Sequence, residues 1–338
     1  MVIETNAELG TPRTNISASP DLPIKLSVVI PCYNEEEVLA ELRRRILPVC
    51  QAAARGPFEV ILIDDGSKDR TREIIREFQS QDIRFVGVFL SRNHGHQLAL
   101  SAGLTIARGE RIFIIDADLQ DPPELLTEMM EKMDEGYDVV YGQRISRSGE
   151  SAFKKASASA FYRVLNALTE VEIPLDTGDF RLMSRRVLNV LNTMPEQHRF
   201  VRGMISWTGF KQTPVRYHRE ERFAGITKYP LRKMVRFALD AISSFSITPL
   251  RLASVIGIAC AGISLFVSIA VLISWIFGST VQGWASTMIM MLFIGGVQLI
   301  MIGLLGEYVG RMYIQSKQRP LFIIEEIVRE EPADDKRA

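Results

Sequence analysis

Short apolar runs alternate with stretches of helical spacing along the first half of the chain. The runs are continuously apolar and rich in Val and Ile, which is typical of strands buried on both faces of a sheet. The predicted strands are Leu26–Pro31, Phe58–Asp64, Phe85–Leu90, Arg111–Asp116 and Asp138–Gly142, and the predicted helices between them are Val38–Ala54, Arg70–Gln79, Gln97–Ala107 and Pro123–Glu135. This alternation predicts an α/β fold with a parallel sheet built from βαβ units.

Polar residues follow the predicted strands at their carboxyl ends, which form the edge where open α/β sheets bind ligands. The segments are Pro31-Cys32-Tyr33-Asn34-Glu35, Asp64-Asp65-Gly66-Ser67, Ser91-Arg92-Asn93 and Asp116-Ala117-Asp118. The sequence therefore predicts one polar and acidic site along this edge.

The middle of the chain carries weaker signals, with a helical stretch at Phe153–Leu168 and a β-rich stretch near Phe210–Tyr217. Apolar residues recur at helical spacing over Leu231–Ile247, with basic residues near the start. A core helix would show the same stripe. Because this stretch leads directly into an uncharged region, the pattern favours an amphipathic helix at a membrane interface.

The uncharged region contains no Asp, Glu, Lys or Arg over the 55 residues from Leu252 to Gly306. It divides into Leu252–Phe277 and Ser286–Leu305, and a helix needs about 20 apolar residues to cross a bilayer. Basic residues flank the region on both outer sides, whereas the turn between the stretches has none. The length and the lack of charge predict two membrane spans rather than a buried core hairpin. The positive-inside rule then predicts that both termini are cytoplasmic.

The predicted organisation is that of an integral protein of the plasma or inner membrane. It comprises a flexible tail at 1–24, a cytosolic α/β domain at 25–229, a juxtamembrane amphipathic helix at 230–250, two transmembrane helices at 251–312 and a cytosolic C-terminal tail at 313–338. At the end of the second span, Glu307 is expected to pair with Arg311 at i+4. Small residues in this span, Gly295, Gly296, Gly303 and Gly306, would allow packing between protomers of a homo-oligomer.

Composition narrows the function classes. Lys and Arg total 40 and Asp and Glu also total 40, so no basic field points to nucleic acid. The cysteines, Cys32, Cys50 and Cys260, show no paired spacing, which argues against a disulfide framework or a zinc site.

The strongest local motif is Asp116-Ala117-Asp118-Leu119-Gln120-Asp121-Pro122-Pro123. Two carboxylates one residue apart at the end of a strand suit a hard cation such as Mg²⁺ or Mn²⁺, which prefers oxygen ligands and also binds phosphates. Such a cation would offset the charge on a departing diphosphate. Acidic residues before a Pro pair also fit the start of a helix, and the two interpretations are compatible.

Four segments in order resemble the family 2 glycosyltransferases of the GT-A (Rossmann-like) fold. They are Ser27-Val28-Val29-Ile30-Pro31-Cys32-Tyr33-Asn34-Glu35, Ile63-Asp64-Asp65-Gly66-Ser67, the acidic motif just described and Gly178-Asp179-Phe180-Arg181. The resemblance covers about Leu26 to Arg319 and is closest to polyprenyl-phosphate sugar transferases, which include dolichol-phosphate mannose synthases. The two C-terminal spans resemble the bactoprenol glucosyltransferase branch best.

The resemblance implies a donor site and a metal site at the sheet edge. Pro31, Tyr33 and Glu35 would line the nucleoside pocket. Asp65 would hydrogen-bond the base, and Asp64 would support the loop that carries it. Asp116 would contact the ribose or sugar beside the metal ligand Asp118, and Gln120 would adjoin the donor sugar. His94 and His96 flank Gly95 near this site, and we expect at most a supporting role for them.

Asp179 and Arg144 are implied as catalytic residues together with Asp118, with Arg144 on the donor diphosphate. An acceptor phosphate has a second pKa of about 6 and is largely a dianion at neutral pH. A general base is therefore less necessary than for a hydroxyl acceptor. Asp179 could act as a base, or it could position the donor or Arg181.

The acceptor site is expected in a basic segment, Arg219 to Arg236, which contains six basic and two acidic residues. Arg222, Lys228 and Tyr229 match the family's acceptor loop, although Ile226 and Thr227 depart from its usual pattern. Arg222 and Lys228 are the candidates for the lipid phosphate. A juxtamembrane patch that attracts anionic lipids is the alternative.

The implied reaction is a single inverting displacement that moves a hexose from a nucleotide-sugar onto polyprenyl (undecaprenyl) phosphate at the cytoplasmic membrane face. UDP-glucose is the first candidate donor, and GDP-mannose and UDP-linked amino sugars remain open. A processive polysaccharide synthase is one alternative, but its Q-x-x-R-W motif is missing from this sequence. A transport or regulatory protein that binds a sugar nucleotide without transferring it is another.

Overall fold

The computed structural model describes residues 23–145, 174, 177–197, 199–218, 248–277 and 283–329. The strands are β1 (Leu26–Cys32), β2 (Phe58–Asp64), β3 (Phe85–Leu90), β4 (Arg111–Ile114), β5 (Val139–Arg144), β6 (Thr177–Ser184), β7 (Gln212–Tyr217) and β8 (Ile324–Val328). The helices are α1 (Leu39–Ala53), α2 (Thr71–Gln81), α3 (His96–Ile106), α4 (Leu126–Asp134), α5 (Arg185–Thr193), α6 (Val201–Trp207), α7 (Thr248–Ile276) and α8 (Trp284–Ser316), with a 3₁₀ turn at Pro123–Leu125.

All eight strands form one sheet in the order β7-β5-β6-β4-β1-β2-β3-β8. The strands β4, β1, β2 and β3 are parallel neighbours, and β5 pairs in parallel with β7. β6 lies antiparallel between β4 and β5, and β8 lies antiparallel against β3 at the edge. The predicted mostly parallel α/β sheet with flanking helices is thus confirmed.

Helices cover both faces of the sheet because successive strand residues point to opposite sides. Val28 and Ile30 of β1 pack in a core cluster with α1, α2 and α4, whereas Val29 packs in a second cluster with α3, α5 and α6. Every residue of β1, β2 and β3 is buried, as expected for strands covered on both faces. This packing holds the carboxyl ends of the strands in fixed positions.

The C-terminal helices α7 and α8 differ from the sheet domain because their apolar side chains face outward. Phe266 is 75% exposed and Leu299 is 71% exposed. In the part of the chain that the structure describes, Phe293–Ser316 is one stretch long and apolar enough to cross a membrane. The predicted pair Glu307 and Arg311 is confirmed, with Nε of Arg311 donating to Oε1 of Glu307 at 3.0 Å.

After α8 the chain returns to the sheet domain. Nη2 of Arg76 lies 2.5 Å from Oε2 of Glu326 in β8, and Nη2 of Arg72 lies 2.6 Å from Oε2 of Glu325. At the end of α8, Nε2 of Gln315 donates to the carbonyl of Pro195 at 2.7 Å. Strand pairing, ion pairs and this hydrogen bond tie the end of the hairpin to the sheet domain.

Some predictions need correction. The segment 313–338 was expected to be a tail, but residues 313–316 belong to α8 and Ile324–Val328 form a strand of the sheet. The fourth strand ends at Ile114 rather than Asp116. The Gly178-Asp179-Phe180-Arg181 motif lies inside β6, and α5 and α6 were not predicted. The predicted helices at 153–168 and 231–247 and most of the tail at 1–24 lie outside the described residues.

Candidate active site

Asp116 and Asp179 meet at the carboxyl end of β4. In the antiparallel pair of β4 and β6, Ile114 lies opposite Arg181, so the same register continued for two residues sets Asp116 opposite Asp179. Nε2 of His96 lies between them, 3.5 Å from Oδ1 of Asp116 and 3.3 Å from Oδ2 of Asp179. Two acidic segments that are far apart in sequence therefore form one cluster.

Asp179 is buried, with 4% of its surface exposed, and basic or polar groups surround its carboxylate. Nε2 of Gln97 donates to Oδ2 at 2.7 Å, and Nε of Arg202 lies 3.4 Å from Oδ1. Arg181 is on the same face of β6, two residues along, and is also buried. Its Nη2 donates to the carbonyl of Gly178 at 2.9 Å.

The surrounding groups shift the pKa values of Asp179 and Asp116 in opposite directions. Burial acts to raise the pKa of Asp179, but Arg202, His96 and Arg181 outweigh it and hold the pKa well below its usual range. Burial also raises the pKa of Asp116, to about 6, because the opposing effect of His96 is smaller and nearby carboxylates add to the rise. Asp179 is therefore ionised at neutral pH, and its depressed pKa makes it a weak proton acceptor.

The rest of the acidic motif forms a tight turn before the helix α4. Oδ1 of Asp118 accepts a hydrogen bond from the backbone N–H of Gln120 at 3.2 Å. Leu119 between them has a φ of 56°, a conformation that costs a non-glycine residue energy and is common at functional sites. Leu119 is buried, which helps to hold this turn.

Arg144 at the end of β5 is held from two sides. The hydroxyl of Tyr217 donates to Oδ1 of the fully buried Asp121, and Nε of Arg144 donates to that hydroxyl at 3.2 Å. Nη2 of Arg144 lies 3.4 Å from Oδ2 of Asp121. A Cβ added at Gly178 would lie 2.7 Å from this Nη2, so Gly178 leaves the room that the guanidinium uses. The side chain remains 27% exposed at the sheet edge.

Asp64 and Asp65, the residues predicted on the nucleoside side, support loops. Oδ1 of Asp64 accepts from the N–H of Ser67 at 3.1 Å. Asp65 accepts the backbone N–H groups of His94 and Gly95, one on each oxygen, at 2.7 and 2.9 Å. Asp65 thus holds the turn that leads into α3, and a contact with a nucleobase stays a prediction.

The other predicted nucleoside residues lie at the start of the sheet edge. Pro31 is buried within β1, and Tyr33 is 42% exposed just beyond it. The backbone N–H of Glu35 donates to Oγ1 of Thr71 at 2.8 Å. An open cavity of about 390 Å³ adjoins this loop and is lined by Asn34, Glu35, Glu36, Glu37, Val38, Lys68 and Asp69.

At the acidic motif, protein groups alone would supply only part of the ligands that a divalent cation needs. Oδ1 of Asp116 is buried and has no hydrogen-bond partner among the described residues, which suits an oxygen that binds a cation. No group of three or more His, Cys, Asp or Glu able to hold a metal occurs in the part of the chain that the structure describes. The metal site at Asp116 and Asp118 stays a prediction, and a cation there would take its remaining ligands from a bound phosphate or from water.

The acceptor residues Arg222, Lys228 and Tyr229 lie outside the described residues. Conversely, sequence reasoning missed Gln97 and Arg202 beside Asp179 and missed Asp121 and Tyr217 beside Arg144, and it gave His96 only a supporting role. His96 and Gln97 lie three and four residues after Asn93, the end of a predicted strand-end segment, which is a signal that could have drawn attention to them. Arg202 and Tyr217 carry no local signal.

Two family models match the chain. One, described as glycosyl transferase family 2, matches residues 27–191, and the other, described as the GtrB C-terminal hairpin, matches residues 248–312. The chain belongs to glycosyl transferase family 2 and is a glycosyltransferase, which confirms the resemblance seen in its motifs.

The relatives extend over nearly the whole chain. An uncharacterized glycosyltransferase of Bacillus subtilis, YkcC, is 47% identical over 303 residues, which cover 89% of this chain and 94% of that protein. The bactoprenol glucosyl transferase of Shigella phage SfV is 41% identical over 302 residues, covering 89% and 98%. The crystal structure of mannosyl-3-phosphoglycerate synthase from Rubrobacter xylanophilus is 15% identical and covers 65% of this chain and 73% of its own, with a TM-score of 0.46.

Proposed function

We propose that this glycosyltransferase moves a hexose, first of all glucose from UDP-glucose, onto polyprenyl phosphate at the cytoplasmic face of the membrane. The observation that carries the proposal is the joining of an acidic sheet edge to an apolar hairpin in one framework. Asp116 and Asp179 meet at the end of β4, and the strand that follows α8 belongs to the same sheet. The similarity to a bactoprenol glucosyl transferase across both regions supports a lipid-linked acceptor.

The hairpin supports the proposed membrane topology. The end of α8 lies on the side of the sheet domain, because only seven residues separate Ser316 from β8. Two spans return the chain to the side from which it started, so the start of α7 would lie on that side as well. Nucleotide-sugars are cytosolic, and the basic flanks favour the cytoplasmic side.

The chain's own residues suit donor binding and displacement. Arg144, held by Asp121 and Tyr217, would bind the donor diphosphate and stabilise charge as it leaves. Asp116 and Asp118 would hold Mg²⁺ or Mn²⁺, which supplies positive charge beside the leaving group when bound. Pro31, Tyr33, Glu35 and Asp65 would line the nucleoside side, with Gln120 near the sugar.

The acceptor would be the nucleophile without needing a strong base. A phosphate monoester is largely dianionic at neutral pH, and its oxygen would attack the anomeric carbon as the diphosphate departs from the opposite side. The depressed pKa of Asp179 favours a positioning role for this carboxylate over proton abstraction. Arg222, Lys228 and Tyr229 would bind the lipid phosphate.

The test is a transfer assay with purified protein in detergent, undecaprenyl phosphate, Mg²⁺ or Mn²⁺ and radiolabelled nucleotide-sugars. We expect label from UDP-glucose in the organic phase, lost in Asp118→Ala and retained in Glu128→Ala, an exposed acidic residue of α4. NMR of the product would show an anomeric configuration opposite to that of the donor. Absence of lipid-linked label with every donor, while the protein still binds UDP, would overturn the proposal.

A further inference from the structure

Gln97, the second residue of α3, joins three elements that are distant in sequence. Its Nε2 donates to Oδ2 of Asp179 in β6 at 2.7 Å. Its Oε1 accepts the backbone N–H of Val201 at the start of α6 at 3.0 Å. One amide therefore sits between the candidate catalytic carboxylate and the helix that carries Arg202, the cation facing the other oxygen of Asp179.

The orientation of this amide follows from its two partners. A backbone N–H can only donate, and an ionised carboxylate can only accept. Reversing the amide would set its NH₂ group against the N–H of Val201 and its oxygen against Asp179, and both hydrogen bonds would be lost. Gln97 therefore has one orientation that satisfies both neighbours.

The backbone beneath Gln97 is also held. Oγ of Ser101 donates to the carbonyl of Gln97 at 2.7 Å, within α3. The preceding turn is bound by Asp65 through the N–H groups of His94 and Gly95. Gly95 has a φ of 95° and a ψ of 152°, a region almost confined to glycine. Hydrogen bonds from neighbouring residues thus hold the backbone around Gln97. One of these residues, Asp65, also belongs to the predicted donor pocket.

We propose that Gln97 is a positioning residue for sugar transfer, which holds the carboxylate of Asp179 in its productive orientation. Gln97 donates to Oδ2, which also lies 3.3 Å from Nε2 of His96, whereas Oδ1 faces Arg202, so each oxygen of the carboxylate has its own neighbours. Oδ1 is buried and has no hydrogen-bond partner among the described residues, although Arg202 lies 3.4 Å away. This inference rests on the proposed function, because it assigns Asp179 a part in the transfer reaction.

The first test separates turnover from binding. Gln97→Met keeps the length of the side chain and removes both hydrogen bonds, and Gln51→Met makes the same exchange at an exposed position of α1. In the transfer assay we expect kcat of Gln97→Met to fall by about 10- to 100-fold, since small misplacements of a catalytic group have effects of this size. The donor KM should stay within about 3-fold of the wild type because no donor contact is removed. Gln51→Met should match the wild type.

A double-mutant cycle supplies a readout that general destabilisation would not produce. If Gln97 acts through Asp179, Gln97→Met should lower kcat much less in an Asp179→Asn background than in the wild type. Equal losses in both backgrounds, or a Gln97→Met variant with wild-type kcat, would overturn the inference and leave the proposed function standing. A wild-type protein that transfers no sugar would instead overturn the proposed function, and this inference with it.

Discussion

The sheet domain and the C-terminal hairpin use similar apolar residues in opposite surroundings. Ile61 and Ile63 of β2 are fully buried between helices, whereas Ile302 of α8 is 65% exposed. An exposed apolar surface of this extent marks a region that meets a membrane or another protein. Burial in the sheet therefore stabilises the fold, whereas the exposed apolar surface of the hairpin fits the membrane association proposed for it.

Polar groups show the reverse contrast. The sheet edge keeps Asp64, Asp65, Asp121 and Asp179 buried and bound to N–H groups, a hydroxyl or cations. The stretch from Leu252 to Gly306 has no ionisable acid or base. Buried charges require partners, and the sheet domain can supply them because many elements converge there. Buried charged groups are thus concentrated in one region and exposed apolar surface in the other.

The largest expected effect comes from removing charge at the sheet edge. Asp179→Asn should lower kcat for transfer by about 10²- to 10³-fold, the size seen when one preorganised polar group is removed from an active site. The thermal unfolding temperature should also fall, because Arg202, His96 and Arg181 stabilise the ionised carboxylate by more than its burial costs, and a neutral amide loses that net stabilisation. Initial rates of label extraction and a thermal melt would check both. A variant with full activity would remove Asp179 from the site.

The next test makes the same substitution, Ile to Ala, once in the sheet domain and once in the hairpin. Ile61→Ala should lower the free energy of unfolding of the sheet domain by about 2–5 kcal/mol through a buried cavity. Ile302→Ala, at an exposed position, should change it by less than about 0.5 kcal/mol. Cys32 and Cys50 are buried in this domain, so their rate of thiol labelling in denaturant reports its opening. Equal effects of the two substitutions would contradict the contrast in burial.

A charge introduced into the hairpin tests whether its exposed apolar surface lies within a membrane. Leu299→Lys should disfavour insertion by about 2.5–3.5 kcal/mol if the residue lies near the bilayer centre. Val190→Lys, at an exposed position of α5, should have almost no effect. The measurement is the fraction of protein that stays with membranes after an alkaline wash. Undiminished retention of Leu299→Lys would argue against a span at this position.

The smallest effect concerns the dependence of stability on pH, which we expect to arise in the sheet domain. Hydrogen bonds from Arg186 hold the pKa of Asp138 below its usual value despite the opposing effect of burial, and Ser184 also donates to it, at 3.1 Å. A lowered folded-state pKa contributes stability above the unfolded pKa of about 3.9, and this contribution is lost as the pH falls through the folded pKa.

Asp138→Asn should therefore lower the free energy of unfolding at pH 7 by about 0.5–1 kcal/mol, a modest value because the exposed Arg186 is screened by solvent. The difference from the wild type should shrink as the pH falls below about 4. Denaturant unfolding of both proteins over this pH range measures it. A difference that is constant with pH would show that the charge of Asp138 contributes nothing.

The sequence pattern predicted strand bounds well where the residues of one segment are enough to set its conformation. The strands Phe58–Asp64 and Phe85–Leu90 have the predicted bounds, since an apolar run buried on both faces ends where polar residues begin. β8 was missed because Glu325 and Glu326 interrupt its apolar pattern. These charges are accommodated by Arg72 and Arg76 of α2, which lie about 250 positions earlier in the chain.

The candidate site likewise combines residues that motifs identified with contacts that only the fold creates. Asp116, Asp118 and Asp179 were identified from motifs, and the structure brings Asp116 and Asp179 within reach of one histidine. The bond between Gln97 and Asp179 joins residues 82 positions apart, and no local pattern of spacing encodes it.

Residues close together in the chain sufficed to predict the alternation of strands and helices, the acidic edge, the uncharged hairpin and the glycosyltransferase family. Other features became visible only in the folded chain: β6 lies antiparallel beside β4, β8 lies at the edge of the sheet, and Gln97 and His96 contact Asp179. The physical reason is that these contacts depend on strand register and helix packing. Both are set by the shape of the whole core and not by neighbouring residues.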